Sequence, residues 1–155
     1  MLRSLRIENL VLIREAALEP AAGLNAITGE TGAGKTILAQ AFGLLLGAKG
    51  DAAAVGPGAS EAYVEAEFDL PDGFFEDDEL ESLGELAPED EAGLVLARRV
   101  FADGRTRAYA WGRAVAREDL AAATERLLAM SGQFEQRRLA RLSYQLDVLD
   151  AFCGE

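Results

Sequence analysis

The 155-residue sequence contains no histidine. A histidine metal centre, a histidine general base and a Ser-His-Asp triad are therefore excluded within it. A single cysteine, Cys153, rules out an internal disulfide and fits a reducing compartment, the cytoplasm. Long apolar runs are missing too. The longest weakly polar stretch, residues 37–48, falls short of the ~20 apolar residues that a membrane span needs. Arg3, Arg6 and Glu8 interrupt the apolar pattern at the start, which is not how a signal peptide reads. The expectation is a soluble chain with no membrane partner.

Basic residues are absent between Asp51 and Ala97, while residues 61–91 carry 14 acids. The net charge of −12 is thus a local property, because the rest of the chain sums to +2. Residues 98–141 hold ten Arg against five acids. Most of these charges read as solvated surface. The guanine-reading pattern Asn-Lys-x-Asp does not occur, which weighs against a GTPase. Half the residues are hydrophobic, enough for one domain with a real core.

What is present is Gly29-Glu30-Thr31-Gly32-Ala33-Gly34-Lys35-Thr36, a match to G-x-x-x-x-G-K-[ST] at every fixed position. At average residue usage such a match arises by accident in about 1 chain in 200 of this length. Glycines at 29, 32 and 34 let the backbone curl and approach a ligand closely. Curled backbone aims N–H groups inward as a nest for phosphate oxygens, and the following helix adds its positive end. Lys35 is placed to reach the β- and γ-phosphates of ATP, and the Thr36 hydroxyl to ligate Mg²⁺. All eight residues, 29 to 36, are the candidate cofactor-binding set. The flanks suit the motif: residues 24–28 read as a strand, residues 36–46 as a helix of good formers, and Gly47 as its stop.

Elsewhere the pattern predicts a hairpin from residue 2 to residue 18 turning at Asn9-Leu10, a strand over residues 63–70, and a turn at Pro71-Asp72-Gly73. An acidic exposed helix or loop follows over residues 74–86. Residues 94–101 and 105–110 read as strands joined at Asp103-Gly104. Residues 117–130 read as an amphipathic helix carrying Leu120, Ala123, Thr124, Leu127 and Leu128, with a short strand near Leu128 to Ser131. Ser143 caps a last helix.

In this order, Leu5 to Ile13, the loop, Arg98-Arg99-Val100 with Gly104-Arg105-Thr106-Arg107-Ala108-Tyr109, and Ser131-Gly132-Gln133-Phe134-Glu135-Gln136 resemble one family. It is the RecN family of bacterial DNA-repair proteins, in the structural-maintenance-of-chromosomes (SMC) group of ATP-binding-cassette (ABC) ATPases, and the resemblance is to its N-terminal head segment. It covers nearly the whole chain. Departures occur at Ser131 and Phe134, where the family usually has His, at Trp111, where Asn is usual, and at Val55-Gly56-Pro57-Gly58, which lacks a common Arg.

The resemblance implies an α/β P-loop NTPase of ABC/SMC head type, with an antiparallel β layer beside a nucleotide-binding core. Residues 1–142 would form an incomplete N-terminal lobe, and residues 143–155 would start a helix leading to a coiled-coil arm. It implies catalytic roles for Lys35 and Gln133, with Gln133 contacting Mg²⁺ and the attacking water. It also implies recombinational repair of DNA double-strand breaks, ATP-driven head-to-head homodimerisation, contact with DNA, and a cytoplasmic, nucleoid-associated setting.

An apolar run ending in a Walker B Asp-Glu pair is not found in the sequence, nor is the signature motif that caps a partner's ATP. The chain therefore reads as an N-terminal piece of a longer ATPase. Its missing partner is the C-terminal half of the same head, and alone it binds nucleotide without turning it over. Two alternatives stay open: a non-hydrolysing, nucleotide-dependent interaction module, and a nucleotide-binding subunit of another ABC-type protein. A DNA role for the Arg-rich segment would show as salt-sensitive affinity dependent on Arg105 or Arg107.

Overall fold

The computed structural model describes residues 1–29, 33–89, 91–130 and 149. Expectations at residues 30–32, 131–148 and 150–155, among them Gln133 and the helix from Ser143, lie outside the described residues. The elements are β1 (Leu2–Leu10), β2 (Ile13–Leu18), α1 (Ala33–Leu45), β3 (Glu61–Asp69), α2 (Glu81–Gly84), β4 (Gly93–Phe101), β5 (Thr106–Ala110), β6 (Arg113–Val115) and α3 (Arg117–Leu127). Short 3₁₀ turns lie at Ala52–Ala54 and Asp78–Leu80.

The strands form one antiparallel sheet in the order β2-β1-β3-β4-β5-β6. Period-two alternation explains its two faces. Ala62, Val64, Ala66 and Phe68 of β3 are buried on the inner face, with Leu5 and Ile7 of β1 and Leu94, Leu96 and Val100 of β4. Helix α1 lies across this face and buries Ile37, Ala41, Leu44 and Leu45, residues at helical spacing. Leu120 and Ala123 of α3 complete the core. Thr124 is also buried there, and its hydroxyl donates to the Leu120 carbonyl at 2.7 Å, so this hydroxyl is not orphaned.

The outer face is a mesh of opposite charges. Arg3 pairs with Glu67 and Asp69, Arg6 with Glu8, and Arg99 with Glu61. Arg99 also stacks over Tyr63 at 5.2 Å and Tyr109 at 5.5 Å. Burial, helped by a hydrogen bond to Glu65, raises the Tyr63 phenol above its ordinary value.

Turn chemistry fixes the connections. Gly104 sits at φ 84°, and the Asp103 carboxylate accepts from the Arg105 amide at 3.0 Å. Trp111 and Gly112, at φ 47° and 74°, make a two-residue turn that leads into β6. The Trp111 indole donates to the Gly93 carbonyl at 2.9 Å, and its ring packs near Phe75 at 6.1 Å. The side chain that departs from the family pattern is thus a staple between hairpin and acidic segment.

Four expectations are corrected. The first hairpin turns at Val11-Leu12, because Leu10 pairs with Ile13. Residues 24–28 form no strand: a lone extended segment without a neighbouring strand cannot satisfy its backbone groups by pairing. Leu24 is 99% exposed and Ile27 53%. The acidic stretch is less exposed than its charge suggests, since Leu80 and Leu83 are fully buried beneath it. Helix α3 ends at Leu127, and residues 128–130 are irregular. No helix of the described residues is long and apolar enough to cross a membrane.

Candidate functional site

The site is built by the first turn of α1. Ile37 is buried against the sheet, which leaves Gly34, Lys35 and Thr36 exposed at the helix start. No acid occupies that turn, so the partial positive charge of the helix end is not offset by its own side chains. Helical structure begins at Ala33, three residues earlier than the sequence pattern predicts. This brings the amides of the motif's second half into the helix N-terminus, the geometry an anion uses.

Lys35 curls back, and its ammonium donates to the Gly29 carbonyl. The first and seventh positions of the motif thereby meet. A Cβ on Gly29 would lie 3.9 Å from the Lys35 ammonium, whereas one on Gly34 would meet nothing within 4 Å. Thr36 shares the exposed surface with Lys35. Of the candidate set, Gly29, Ala33, Gly34, Lys35 and Thr36 are described, and Glu30, Thr31 and Gly32 are not.

Upstream, Asn25 ties its own loop. It accepts from the Ala21 amide at 3.0 Å and donates to the carbonyls of Ala21 and Gly23 at 2.7 and 3.2 Å. Downstream, the segment after α1 grips the first hairpin. The Val11 amide donates to the Ala54 carbonyl at 2.8 Å and the Gly56 amide to the Asn9 carbonyl at 2.7 Å. Asn9 and Val11 adopt φ of 50° and 52°, rare for a β-branched residue such as Val11. Gly56 answers this crowding, since a Cβ there would lie 3.1 Å from the carbonyl oxygens of both Asn9 and Val11.

Beside the loop lies an open cavity of about 330 Å³. Ile13, Ala16, Leu18, Ile27 and Leu38 line it, with Gly29 and Lys35 at one end. Lys35 is its charged wall residue. Sequence reading missed this apolar cleft. The available signal was three apolar residues, Ile13, Ala16 and Leu18, left half-buried on an edge strand where no described strand covers them. A larger cavity, about 720 Å³, sits between the Val11-Leu12 turn and residues 56–61, and includes no loop residue. No group of three or more metal-ligating side chains occurs among the described residues.

Residues 4–130 match the family model described as AAA domain. The chain is 40% identical over 151 residues to the DNA repair protein RecN of Streptomyces coelicolor, covering 97% of this chain and 26% of that protein. It is 42% identical over 160 residues to the DNA repair protein RecN of Mycobacterium tuberculosis H37Rv, covering 99% and 27%. The chain spans about a quarter of the length of these curated relatives. A solved structure from work on ATP-driven dimerization and DNA stimulated activation of SMC ATPases aligns with a TM-score of 0.66 at 21% identity, covering 96% of this chain and 95% of that one. At that identity the likeness establishes fold. Nucleotide binding with Mg²⁺ is the general property of such ATPase families. The chain belongs to the AAA domain family, as a RecN-like segment with the fold of an SMC-type ATPase head.

Proposed function

We propose that this chain is the ATP-binding part of a RecN-like ATPase head that acts in recombinational repair of DNA double-strand breaks. The carrying observation is Lys35 at the uncompensated N-terminus of α1, folded onto Gly29 across the two ends of a complete phosphate-loop motif. Residues 29–36 cradle the phosphates, Lys35 neutralises the β- and γ-phosphates, and Thr36 holds Mg²⁺. The neighbouring apolar cleft suits the rest of an amphiphilic ligand, a nucleoside attached to a charged triphosphate. Gln133 positions the attacking water and contacts Mg²⁺.

The chain alone binds ATP·Mg²⁺ without steady turnover, because its sequence holds no Walker B carboxylates. The exposed Leu24 and Ile27, in a segment with strand composition, support completion of the head by its C-terminal half. ATP-driven head-to-head pairing and DNA contact belong to that completed protein, in the cytoplasm. On the outer sheet face Arg3, Arg6 and Arg99 are matched by carboxylates, so DNA contact there falls to others such as Arg107, which lies across from Arg99 and over the Phe101 ring.

Thermal unfolding with added ATP·Mg²⁺ tests the reading. At tenfold excess over Kd, linkage gives about 1.4 kcal/mol. For a domain of this size that raises Tm by about 3–6 °C. Lys35→Ala abolishes the shift. An unmoved melting curve at millimolar ATP refutes the binding. Steady phosphate release by the chain alone, abolished by Lys35→Ala, refutes the claim that it needs its other half.

A further inference from the structure

Strand β4 alternates Leu94, Leu96, Arg98, Val100 along the inner, helix-covered face. An arginine therefore occupies a position where the pattern calls for an apolar residue. Arg98 is 2% exposed. Its one hydrogen bond among the described residues runs from Nη2 to the Thr106 hydroxyl at 3.1 Å, and its Nε has no partner. No carboxylate pairs with it among the described residues. Glu118, the acid whose charge acts on Arg98, is held by Arg117 through contacts of 2.8 and 3.2 Å. Burial and the neighbouring Arg117 charge both push the Arg98 guanidinium below its ordinary value, the direction expected of a cation short of counter-charge.

A cavity of about 350 Å³ opens beside this guanidinium, where the chain leaves the C-terminal end of α1, and its described lining includes no residue of the phosphate loop. Its walls include Lys49, Gly50, Arg98, Thr106, Arg117 and Glu118. Three cations thus face one acid. Arg117 and Glu118 begin the 11-residue α3, whose N-terminus has no cap from the Ala116 side chain; its first turn also carries Asp119, and the Glu118 carboxylate accepts from its own amide, so the cationic side chains carry the site. Gly50 brings Lys49 in. A Cβ at Gly50 would lie 2.6 Å from Thr106 Cγ2 and 2.9 Å from Val100 Cγ2, so only glycine lets that backbone seat against the strands. A buried cation left without an anion is costly, and donors arriving from a strand, a loop and a helix end suit an acceptor with oxygens in several directions.

We infer that the pocket between α3, β4 and the segment after α1 is a second phosphate-type oxyanion site, with Arg98 at its floor and Lys49 and Arg117 at its rim.

The test uses the full 155-residue chain carrying Lys35→Ala, so that the phosphate loop does not contribute. Inorganic phosphate is titrated at constant ionic strength while backbone amides are followed by NMR. The expected result is saturable shifts confined to Gly50, Thr106, Arg117 and Glu118. Lys49→Ala, an exposed change that leaves the core intact, weakens the midpoint about fivefold to tenfold. Arg98→Met abolishes saturation with circular dichroism unchanged. A short DNA duplex titrated the same way distinguishes the source. Shifts at the same amides that fade with salt identify a nucleic-acid phosphate, whereas shifts with inorganic phosphate alone identify a free anion. Shifts that stay linear in phosphate, spread over the whole surface, or keep the same midpoint in Lys49→Ala overturn the proposal.

Discussion

Gly47 ends the helix that carries Lys35, and replacing it with alanine tests how α1 is seated. Its φ is 81°, where an L-residue costs about 1–2 kcal/mol. A Cβ at this position would lie 2.8 Å from the Ala121 Cβ on α3, well inside ordinary contact. Overpacking of this kind costs about 1–3 kcal/mol. The loss of unfolded-state freedom returns about 0.4–1 kcal/mol. The net expectation for Gly47→Ala is a loss of about 2–4 kcal/mol, a large share of the stability of an ordinary domain. Urea unfolding measures it as a midpoint lowered by about 1–2 M with an unchanged slope. Ala121→Gly removes the clashing methyl but leaves the backbone strain. A double-mutant cycle should therefore show about 1–3 kcal/mol of favourable coupling. If Gly47→Ala stays within about 0.5 kcal/mol of the parent, or if the two changes simply add, the packing of α1 on α3 described above is wrong.

Two further outcomes concern the acidic segment and the Trp111 turn. Asp77 is held below the usual carboxylate range by the Glu79 amide and by Arg126. A depressed folded value contributes stability above the ordinary value of 3.8 that is lost as pH falls through the folded one. Urea midpoints between pH 6 and pH 2.5 should thus fall more steeply for the parent than for Arg126→Ala, and parallel profiles refute the pairing. Trp111→Phe keeps a ring against Phe75 but removes the donor to the Gly93 carbonyl. It should cost about 1 kcal/mol, seen as a melting temperature lower by about 2–4 °C, and an unchanged temperature counts against the staple.

The parts that sequence made legible are those with local causes. Alternation in residues 62–68 and helical spacing from Ile37 to Leu45 name their own buried faces. Asp103-Gly104 names its turn because only certain residues tolerate that backbone. The loop motif likewise writes its chemistry in adjacent positions. Other features depend on partners distant in sequence. Residues 24–28 have strand composition, but pattern does not reveal whether a neighbouring strand is present. Leu80 and Leu83 are hidden in a run of acids, although their spacing of three matches one buried side. Strand β6 is three residues long, too short for any period to register. Arg98 and Arg99 fall in the segment whose charges read mostly as solvated surface, yet alternation sends the two side chains to opposite faces, one into the core and one into a stack between tyrosines.

The two ends of α1 are moored unequally. Past its last turn the chain is bolted down by Gly47 against Ala121, by the Val11–Ala54 hydrogen bond and by Gly56 under the first hairpin. Ahead of its first turn the described contacts are of another kind: the Lys35 ammonium is curled onto the Gly29 carbonyl, and Ile37 one turn on is sunk against the sheet. The first hairpin borders both ends of the rod, lining the apolar cleft beside Lys35 and carrying the bonds that hold the segment after α1. Loop and hairpin are thus joined through one helix whose far end cannot slide without breaking backbone hydrogen bonds.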